Sequence, residues 1–390
     1  MKNLLYTITF LMTTMSWTQT VQDSINNPQN QINAAQRILT GNINSGVTVG
    51  GYGEITYNQP EGSNGELDVQ RLVLLFGYKF SDKVQFVTEI ELEHVEEVFV
   101  EQAFINYSVA ENVNLRGGLM LVPMGIVNEY HEPTTFNGVE RPGVDSSIIP
   151  TTWREIGVGV YGRFDDISLG YQAYVFNGFK STATDDTDVM GFIGGSSGLR
   201  GGRQKGIQST INSPTFSTKL DYYGITGLRL GLAGYFGKTQ PEEGLEDIDG
   251  SAVGISMIGF DARYSYHRFS ARGQYVYASL SDTEAYNDLT GQNLGSALQG
   301  YYIEGAYNLL PEYKKQKLVA FVRYENYDTH AKTDGILVRN DAYNRTDVTT
   351  GLSYHIVNGV VVKADYQFRD NALSGSDVDN RLNFGIGFWF

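Results

Sequence analysis

Residues 360–370 read VVVKADYQFRD, and residues 381–390 read RLNFGIGFWF. In both stretches every second residue is apolar, a period that predicts β-strands with one apolar and one polar face. The apolar face of the first stretch carries Val360, Val362, Ala364, Tyr366 and Phe368, opposite Lys363, Asp365, Gln367 and Arg369. A tilted strand of roughly ten residues at ~3.3 Å per residue covers the ~25 Å apolar band of an outer membrane. The two stretches therefore predict membrane-spanning strands.

The same alternation repeats from Gly46 onward. Short connections, such as 80–82 and 358–359, follow the even-numbered strands, whereas mostly long ones, such as 58–67 and 178–213, follow the odd-numbered strands. Short periplasmic turns alternating with long external loops are typical of a barrel whose closure leaves no backbone unpaired in lipid. The sequence therefore predicts an all-β fold, a 16-stranded antiparallel transmembrane β-barrel, over residues 46–390. The strands are expected at 46–57, 68–79, 83–93, 98–107, 113–122, 154–163, 167–177, 214–223, 228–237, 253–265, 268–279, 300–309, 316–327, 347–356, 360–370 and 380–390.

The N-terminal segment predicts export. Residues 1–18 have a short basic start and an apolar run, typical of a secretory signal peptide, although a buried N-terminal helix is the alternative. Residues 19–45 are expected to form a periplasmic lead-in, with a short helix near Ala34. No later apolar run approaches the ~20 residues of a membrane-spanning helix. The predicted location is the cell outer membrane, with its lipid as one partner.

Composition narrows the function classes. The chain has no Cys, which excludes thiol catalysis and Cys-based zinc sites, and its net charge of −15 argues against a nucleic-acid partner. The five His residues show no metal-ligand spacing, so no metal and no cofactor are expected. A Gly-x-Ser-x-Gly match at 194–198 lies in a glycine-rich loop without the strand–helix context of a hydrolase. No catalytic residue is predicted, and the chain is not expected to be an enzyme.

Charged residues on the polar strand faces must point into the barrel. So many charges would be prohibitive in a dry interior, which predicts a water-filled lumen. Glu89, Glu91 and Glu93 form one carboxylate row, interpreted either as a cation-attracting strip or as solvated wall paired with arginines. The predicted pore-lining residues are Arg71, Glu89, Glu91, Glu93, Arg116, Lys219, Arg229, Arg263, Arg272, Arg323, Glu325, Lys363, Asp365 and Arg369.

Two external loops carry candidate sites. Residues 123–153 contain four of the nine prolines and many apolar side chains, which predicts a loop folded inward to narrow the pore; an ordered cap on the rim is the alternative. Its expected constriction residues are Glu129, His131, Glu132, Glu140 and Arg141. Arg200, Arg203 and Lys205 lie among glycines whose backbone can cradle an anion, although a solvated basic turn fits equally well.

Several stretches resemble the phosphate-selective porin O and P family. They are DVQRL at 68–72, VEQAFI at 100–105, LRGGLMLVPMG at 115–125, VERP at 139–142 and IPTTW at 149–153. The resemblance implies a trimeric 16-stranded barrel with an inward loop and a basic ladder that selects anions, in which Arg71, Arg116 and Arg141 occupy matching stretches. This sequence departs from that pattern because its predicted inner face is as acidic as it is basic.

The expected function is passive diffusion of small hydrophilic solutes or ions, such as phosphate or other anions, through a pore narrowed by residues 123–153. Two alternatives remain open. One is a receptor or adhesin barrel with a plugged lumen, and the other is an outer-membrane barrel enzyme.

Overall fold

The computed structural model describes residues 28–40, 46–185, 188–375 and 378–390. Within them, sixteen strands close into one antiparallel barrel, which confirms the predicted fold class. The predicted signal peptide, 1–18, lies outside the described residues, and only 28–40 of the lead-in are described. The barrel strands are β1 Gly46–Pro60, β2 Glu66–Lys79, β3 Val84–Glu93, β4 Glu97–Ala110, β5 Val113–Leu121, β6 Arg154–Phe164, β7 Leu169–Phe176, β10 Thr215–Ile225, β11 Leu228–Lys238, β13 Gly254–Tyr266, β14 Phe269–Ser281, β15 Ala297–Asn308, β16 Lys317–Lys332, β17 Asn344–Val357, β18 Val360–Asn371 and β19 Arg381–Trp389.

The barrel closes where β1 pairs with β19. The register runs antiparallel from Tyr52 opposite Trp389 to Pro60 opposite Arg381. On β19 the alternation holds as the sequence predicts, because Phe384 and Ile386 are exposed on the outer face while Asn383, which precedes Phe384, is fully buried. Closure leaves no free strand edge that lipid would have to cover.

The external loops carry further structure. Strands β8 Lys180–Asp185, β9 Asp188–Gly191 and β12 Gln240–Pro241 form a small sheet outside the barrel. A short helix, α3 Thr283–Thr290, follows β14. The first external connection, expected to be long, is a tight turn at 61–65, because the strand pairing of β1 and β2 continues to Asn58 and Glu66.

The loop between β5 and β6, residues 122–153, lies inside the barrel and is called loop L3 below. It includes a single helical turn, α2 Val144–Ser147. Its apolar side chains form part of the molecule's main hydrophobic cluster together with inner-wall residues such as Met257 and Tyr302. The high apolar content of this loop is explained by that packing.

The described part of the N-terminal segment also packs on the inner wall. Helix α1, Ala34–Thr40, begins at a reciprocal cap in which Asn33 and Gln36 each accept a hydrogen bond from the other's backbone N–H. Its Ile38 contacts the positions of Gly50 on β1 and Gly77 on β2, both on the inner face. None of the helices among the described residues is both long and apolar enough to span a membrane.

Candidate functional site: loop L3 and its basic mouth

Loop L3 is held to the wall from several sides. At its start, Lys219 on β10 donates to the backbone oxygen of Gly125 at 2.8 Å and to Glu129 at 2.7 Å. On the opposite wall, Arg71 on β2 donates to the backbone oxygen of His131 at 2.5 Å and pairs with Glu54 on β1 at 2.7 Å. These are charge-assisted bonds, about twice as strong as neutral ones.

The second half of L3 is anchored on a third side of the barrel. Lys363 on β18 donates to the backbone oxygen of Gly138 at 2.8 Å, and the neighbouring Asp365 accepts the backbone N–H of Val139 at 2.6 Å. Arg323 on β16 reaches the backbone oxygen of Glu140 at 3.4 Å. The loop therefore crosses the lumen between walls on several sides.

The inner-wall charges pair with one another as well as with L3. Glu304 on β15 lies 2.9 Å from Arg272 and 3.5 Å from Arg323, and Arg323 lies 3.2 Å from Glu325. Across the barrel, Asp221 pairs with Arg229 at 2.9 Å. This pairing explains how so many charges can occupy the interior, since buried ions require partners.

The predicted pore-lining residues divide into two groups. All lie on the inner face of their strands. Those at the level of L3 are buried by the loop or by one another: Arg71, Glu89, Glu91, Lys219, Arg263, Arg323, Glu325, Lys363 and Asp365. The others stay partly exposed: Glu93, Arg116, Arg229, Arg272 and Arg369.

The expected constriction residues divide in the same way. Glu129, His131 and Glu132 are buried, at 7%, 1% and 1% exposure, and they fasten the loop. Glu132, for example, accepts the backbone N–H of Ala34 at the start of helix α1 at 2.6 Å. Glu140 and Arg141 are half-buried, so these two are the members of the set that water can still reach.

Sequence reasoning missed one cluster, which joins L3 to strands β3 and β4. His131 Nε2 lies 3.4 Å from Glu101 Oε2 and 3.9 Å from Glu89 Oε1, and the Tyr52 hydroxyl lies 2.6 Å from Glu89 Oε1. The sequence pattern indicates neither Glu101 nor Tyr52 as a site residue. Strict alternation puts Glu101 on the lipid face, because its neighbour Gln102 points inward.

A β-bulge places Glu101 inside. The register shifts between Glu89, which pairs with Gln102, and the next residue, Ile90, which pairs with Val100. The unpaired residue is Glu101, and it is buried together with Gln102, at 0% and 4% exposure. A bulge can turn two successive side chains to the same face, which a period-two pattern does not indicate.

A cluster of cations lies on the external side of L3. It consists of Arg141 in L3, Arg154 at the start of β6, and Arg200, Arg203 and Lys205 in the loop between β7 and β10; it is called the basic mouth below. Among the described residues none of the five forms an ion pair with an acid. Arg200 and Arg203 instead donate to L3 backbone oxygens, at Thr151 and Pro150 for example.

In the described part of the chain, carboxylates act on the basic mouth only from beyond ion-pair range. Burial, followed by the charges of Arg200 and Arg154, lowers the pKa of Arg203 to about 9. Burial and the charge of Arg203 also lower the pKa of Lys205. Glu93 is the carboxylate that acts on Arg203 and Lys205, and it lies beyond ion-pair range of both. The charges of Glu54, Glu91 and Glu101 act on Arg141, also from beyond ion-pair range. A pKa lowered by neighbouring like charges indicates a positive potential that attracts anions.

The opposite end of the lumen is crossed by residues 28–40. Gln29 donates to the backbone oxygens of Tyr223 and Ile225 on β10, at 2.8 and 2.9 Å. On the far wall, Gln85 of β3 donates to the backbone oxygen of Leu39 at 3.1 Å. The segment therefore extends across the periplasmic end, below L3.

A closed sixteen-stranded barrel with its third loop folded into a charged lumen defines the chain as an outer-membrane porin. The family described as phosphate-selective porin O and P matches residues 39–386, and the chain belongs to that family. The family consists of channels and not of enzymes. This chain is therefore not an enzyme, and its location is the outer membrane.

Comparisons with individual proteins agree on the fold. The chain is 35% identical to an uncharacterized protein of Aquifex aeolicus (strain VF5), over 84% of this chain and 77% of that protein. An anion-selective porin from Comamonas acidovorans superimposes with a TM-score of 0.59 at 13% identity, over 89% of this chain and 100% of that one. The trimer form of OmpT from Vibrio cholerae gives 0.53 at 12% identity, over 89% and 99%.

Proposed function

We propose that this porin passes small hydrophilic anions, oxyanions such as phosphate among them, passively across the outer membrane. The basic mouth carries the proposal. Its five cations lie together on the external side of L3, and within the described part of the chain no carboxylate neutralises them by direct contact. A charged constriction selects ions by sign through its electrostatic potential.

Selection then takes place at the mouth and not along the whole wall. Deeper in the lumen several cations already have a carboxylate or a loop oxygen as a partner, as Lys219 has Glu129 and Lys363 has the backbone oxygen of Gly138. An anion would have to displace such a partner to bind there. Arg141 and Lys205 make no hydrogen bond or ion pair with any other described residue, so both are free to contact a passing anion.

The test is the reversal potential of single channels in a planar bilayer under a potassium chloride gradient. Arg141→Gln and Lys205→Gln each remove one mouth charge without breaking a hydrogen bond or ion pair of the described chain, and we expect the anion-to-cation permeability ratio to fall. Arg268→Gln, in the periplasmic turn between β13 and β14, is the matched control. A ratio that favours cations in the wild type, or that neither mouth variant changes, would contradict the proposal.

Phosphate provides a second readout. Added on the external side, it should reduce chloride current in the wild type, because a multivalent oxyanion binds the mouth more tightly than chloride does. The block should weaken in Arg141→Gln and persist in Arg268→Gln. Equal block in all three proteins would show that phosphate acts elsewhere.

A plugged receptor barrel is the second candidate. It is favoured by the burial of wall residues at the level of L3, where Arg71 and Arg323 are 1% and 0% exposed. Bilayer recordings that show no conductance for correctly folded protein would select this candidate. Conductance with a defined anion preference would exclude it.

We also propose that the protein assembles as a homotrimer, in line with its family and with the trimer form of OmpT from Vibrio cholerae. Chemical crosslinking in native membranes should give a ladder that ends at three chains. A ladder that stops at one chain would refute this.

A further inference from the structure

We propose that Glu89, Glu101 and His131 form a binding site for a divalent transition-metal ion, for which Zn²⁺ is the probe. One donor atom from each residue lies within 4.8 Å of the other two. The distances from His131 Nε2 to Glu101 Oε2 and Glu89 Oε1 are 3.4 and 3.9 Å. Donors around a tetrahedral zinc are about 3.3 Å apart, so small side-chain shifts suffice to close the set around one ion.

The contacts of Glu89 and Glu101 favour the binding of a further cation. The guanidinium nitrogens of Arg71 already pair with two other carboxylates, lying 2.7 Å from Glu54 and 3.9 Å from Glu91. Glu89 and Glu101 are both fully buried, and His131 is the one basic side chain of the described residues in ion-pair range of them. The charges of Arg154 and Arg71 also act on Glu101, but from beyond ion-pair range. A dication bound between the two buried carboxylates would therefore be a second cation in direct contact with them.

An orphaned oxygen points to the same conclusion. Glu101 Oε1 is buried and has no hydrogen-bond partner. A buried carboxylate oxygen without a donor is costly unless a cation completes its surroundings. The β3–β4 pairing has its bulge at this position, and the bulge turns Glu101 inward. It thereby brings this carboxylate close to Glu89 and His131.

The surrounding contacts orient the ligands as in metal sites. His131 Nδ1 lies 3.1 Å from the backbone oxygen of Asn128, an arrangement in which Nδ1 donates and Nε2 faces the two carboxylates and the Tyr52 hydroxyl. Gln102 Nε2 donates to Glu89 Oε2 at 2.6 Å. The Tyr52 hydroxyl, 2.6 Å from Glu89 and 2.8 Å from His131, is the nearest fourth donor. A second shell of this kind fixes the ligand rotamers and raises metal affinity.

One imidazole and two carboxylates define the class of ion. Imidazole nitrogen with carboxylate oxygen suits zinc and similar first-row ions better than calcium or magnesium, which prefer oxygen alone. A bound ion would connect L3, through His131, to two barrel strands. It would thus serve as a clip that holds the loop across the lumen.

The test is zinc binding to the tag-free, folded barrel in detergent after treatment with a chelator, followed by isothermal titration calorimetry. We expect one ion per chain. Loss of an orienting contact alone costs 10–100-fold in affinity, so Glu101→Gln and His131→Gln, which remove ligands, should each weaken binding by at least about 100-fold. His267→Gln, in an exposed periplasmic turn, is the matched control and should bind as the wild type does.

A second measurement establishes that the variants are folded. The variants are compared only if they keep the folded-barrel mobility of the wild type on gels run without heating. X-ray absorption of the zinc-loaded wild type should show nitrogen and oxygen donors that include one imidazole. No saturable binding by the wild type, equal affinity in the wild type and Glu101→Gln, or a spectrum without imidazole would each overturn the proposal.

Discussion

Lys219 and Glu129 form an ion pair in which Nζ lies 2.7 Å from Oε2, with the two side chains 0% and 9% exposed. Lys219 comes from the middle of β10, and Glu129 comes from L3. The pair therefore joins the loop to the wall at a place that is largely shielded from water. Removing one partner leaves the other charge buried and uncompensated, which typically costs about 3–5 kcal/mol.

We predict that Lys219→Met destabilises the folded barrel by about 3–5 kcal/mol and increases current noise, because L3 loses an anchor. The double variant Lys219→Met with Glu129→Gln should recover part of this loss, since it removes the orphaned charge. The measurement is equilibrium unfolding in urea in lipid vesicles, with Lys238→Met, an exposed lysine of β11, as the control. Additive effects of the two substitutions would show that the pair is not coupled.

Glu93 lies at the external end of β3, within electrostatic range of the basic mouth and opposing its charge. We predict that Glu93→Gln raises the anion-to-cation permeability ratio by about twofold, the effect of one partly screened charge. Reversal potentials at low and high salt provide the measurement, and the change should shrink at high salt. Glu96→Gln, in the exposed turn after β3, should leave the ratio unchanged; a comparable change there would indicate a general surface effect.

Asp145 in helix α2 gives the loop a pH dependence. Burial raises the pKa of Asp145 to about 7, against a partly compensating hydrogen bond from Gln274 at 2.9 Å. Because the folded state holds the proton more tightly than the unfolded state, stability falls as pH rises from about 4 to about 7. The loss above that range is at most about 4 kcal/mol.

We therefore predict that Asp145→Asn, which cannot ionise, is more stable than the wild type at pH 8 and equally stable at pH 4. Thermal unfolding followed by gel mobility at several pH values measures this. Asp288→Asn, in helix α3 of an external loop, serves as the control. A wild-type stability that rises between pH 4 and pH 7 relative to Asp145→Asn would contradict the assignment.

The sequence predicted the barrel because lipid imposes a strict rule on it. Each strand must alternate, and residues such as Phe384 and Ile386 follow that rule without exception. The rule fails where a bulge interrupts the pairing, which is why Glu101 escaped prediction. The prolines and apolar residues of L3 indicated an ordered loop, but they did not indicate which wall residues hold it. Those contacts form only in the closed barrel, and no local sequence pattern predicts them.

Residues 28–40 cross the periplasmic end of the lumen and narrow it there. Ile38 is buried against Gly50 and Gly77, and Arg37 lies 3.9 Å from the ring centre of Trp389 on β19. At the other wall Gln31 accepts from Arg263 at 3.1 Å. We predict that deleting residues 28–40 raises the unit conductance, because the deletion opens the lumen below L3.

A point substitution separates the effect of removing the obstruction from an effect on folding. Ile38→Asn should loosen helix α1 alone and raise conductance part of the way, whereas Val47→Asn, an exposed position on the outer face of β1, tests the same chemical change away from the lumen. Anion preference should persist in the deletion, since the basic mouth lies at the opposite end. An unchanged conductance in the folded deletion variant would mean that L3 alone limits the current. A lost anion preference would mean that the N-terminal segment, and not the mouth, sets selectivity.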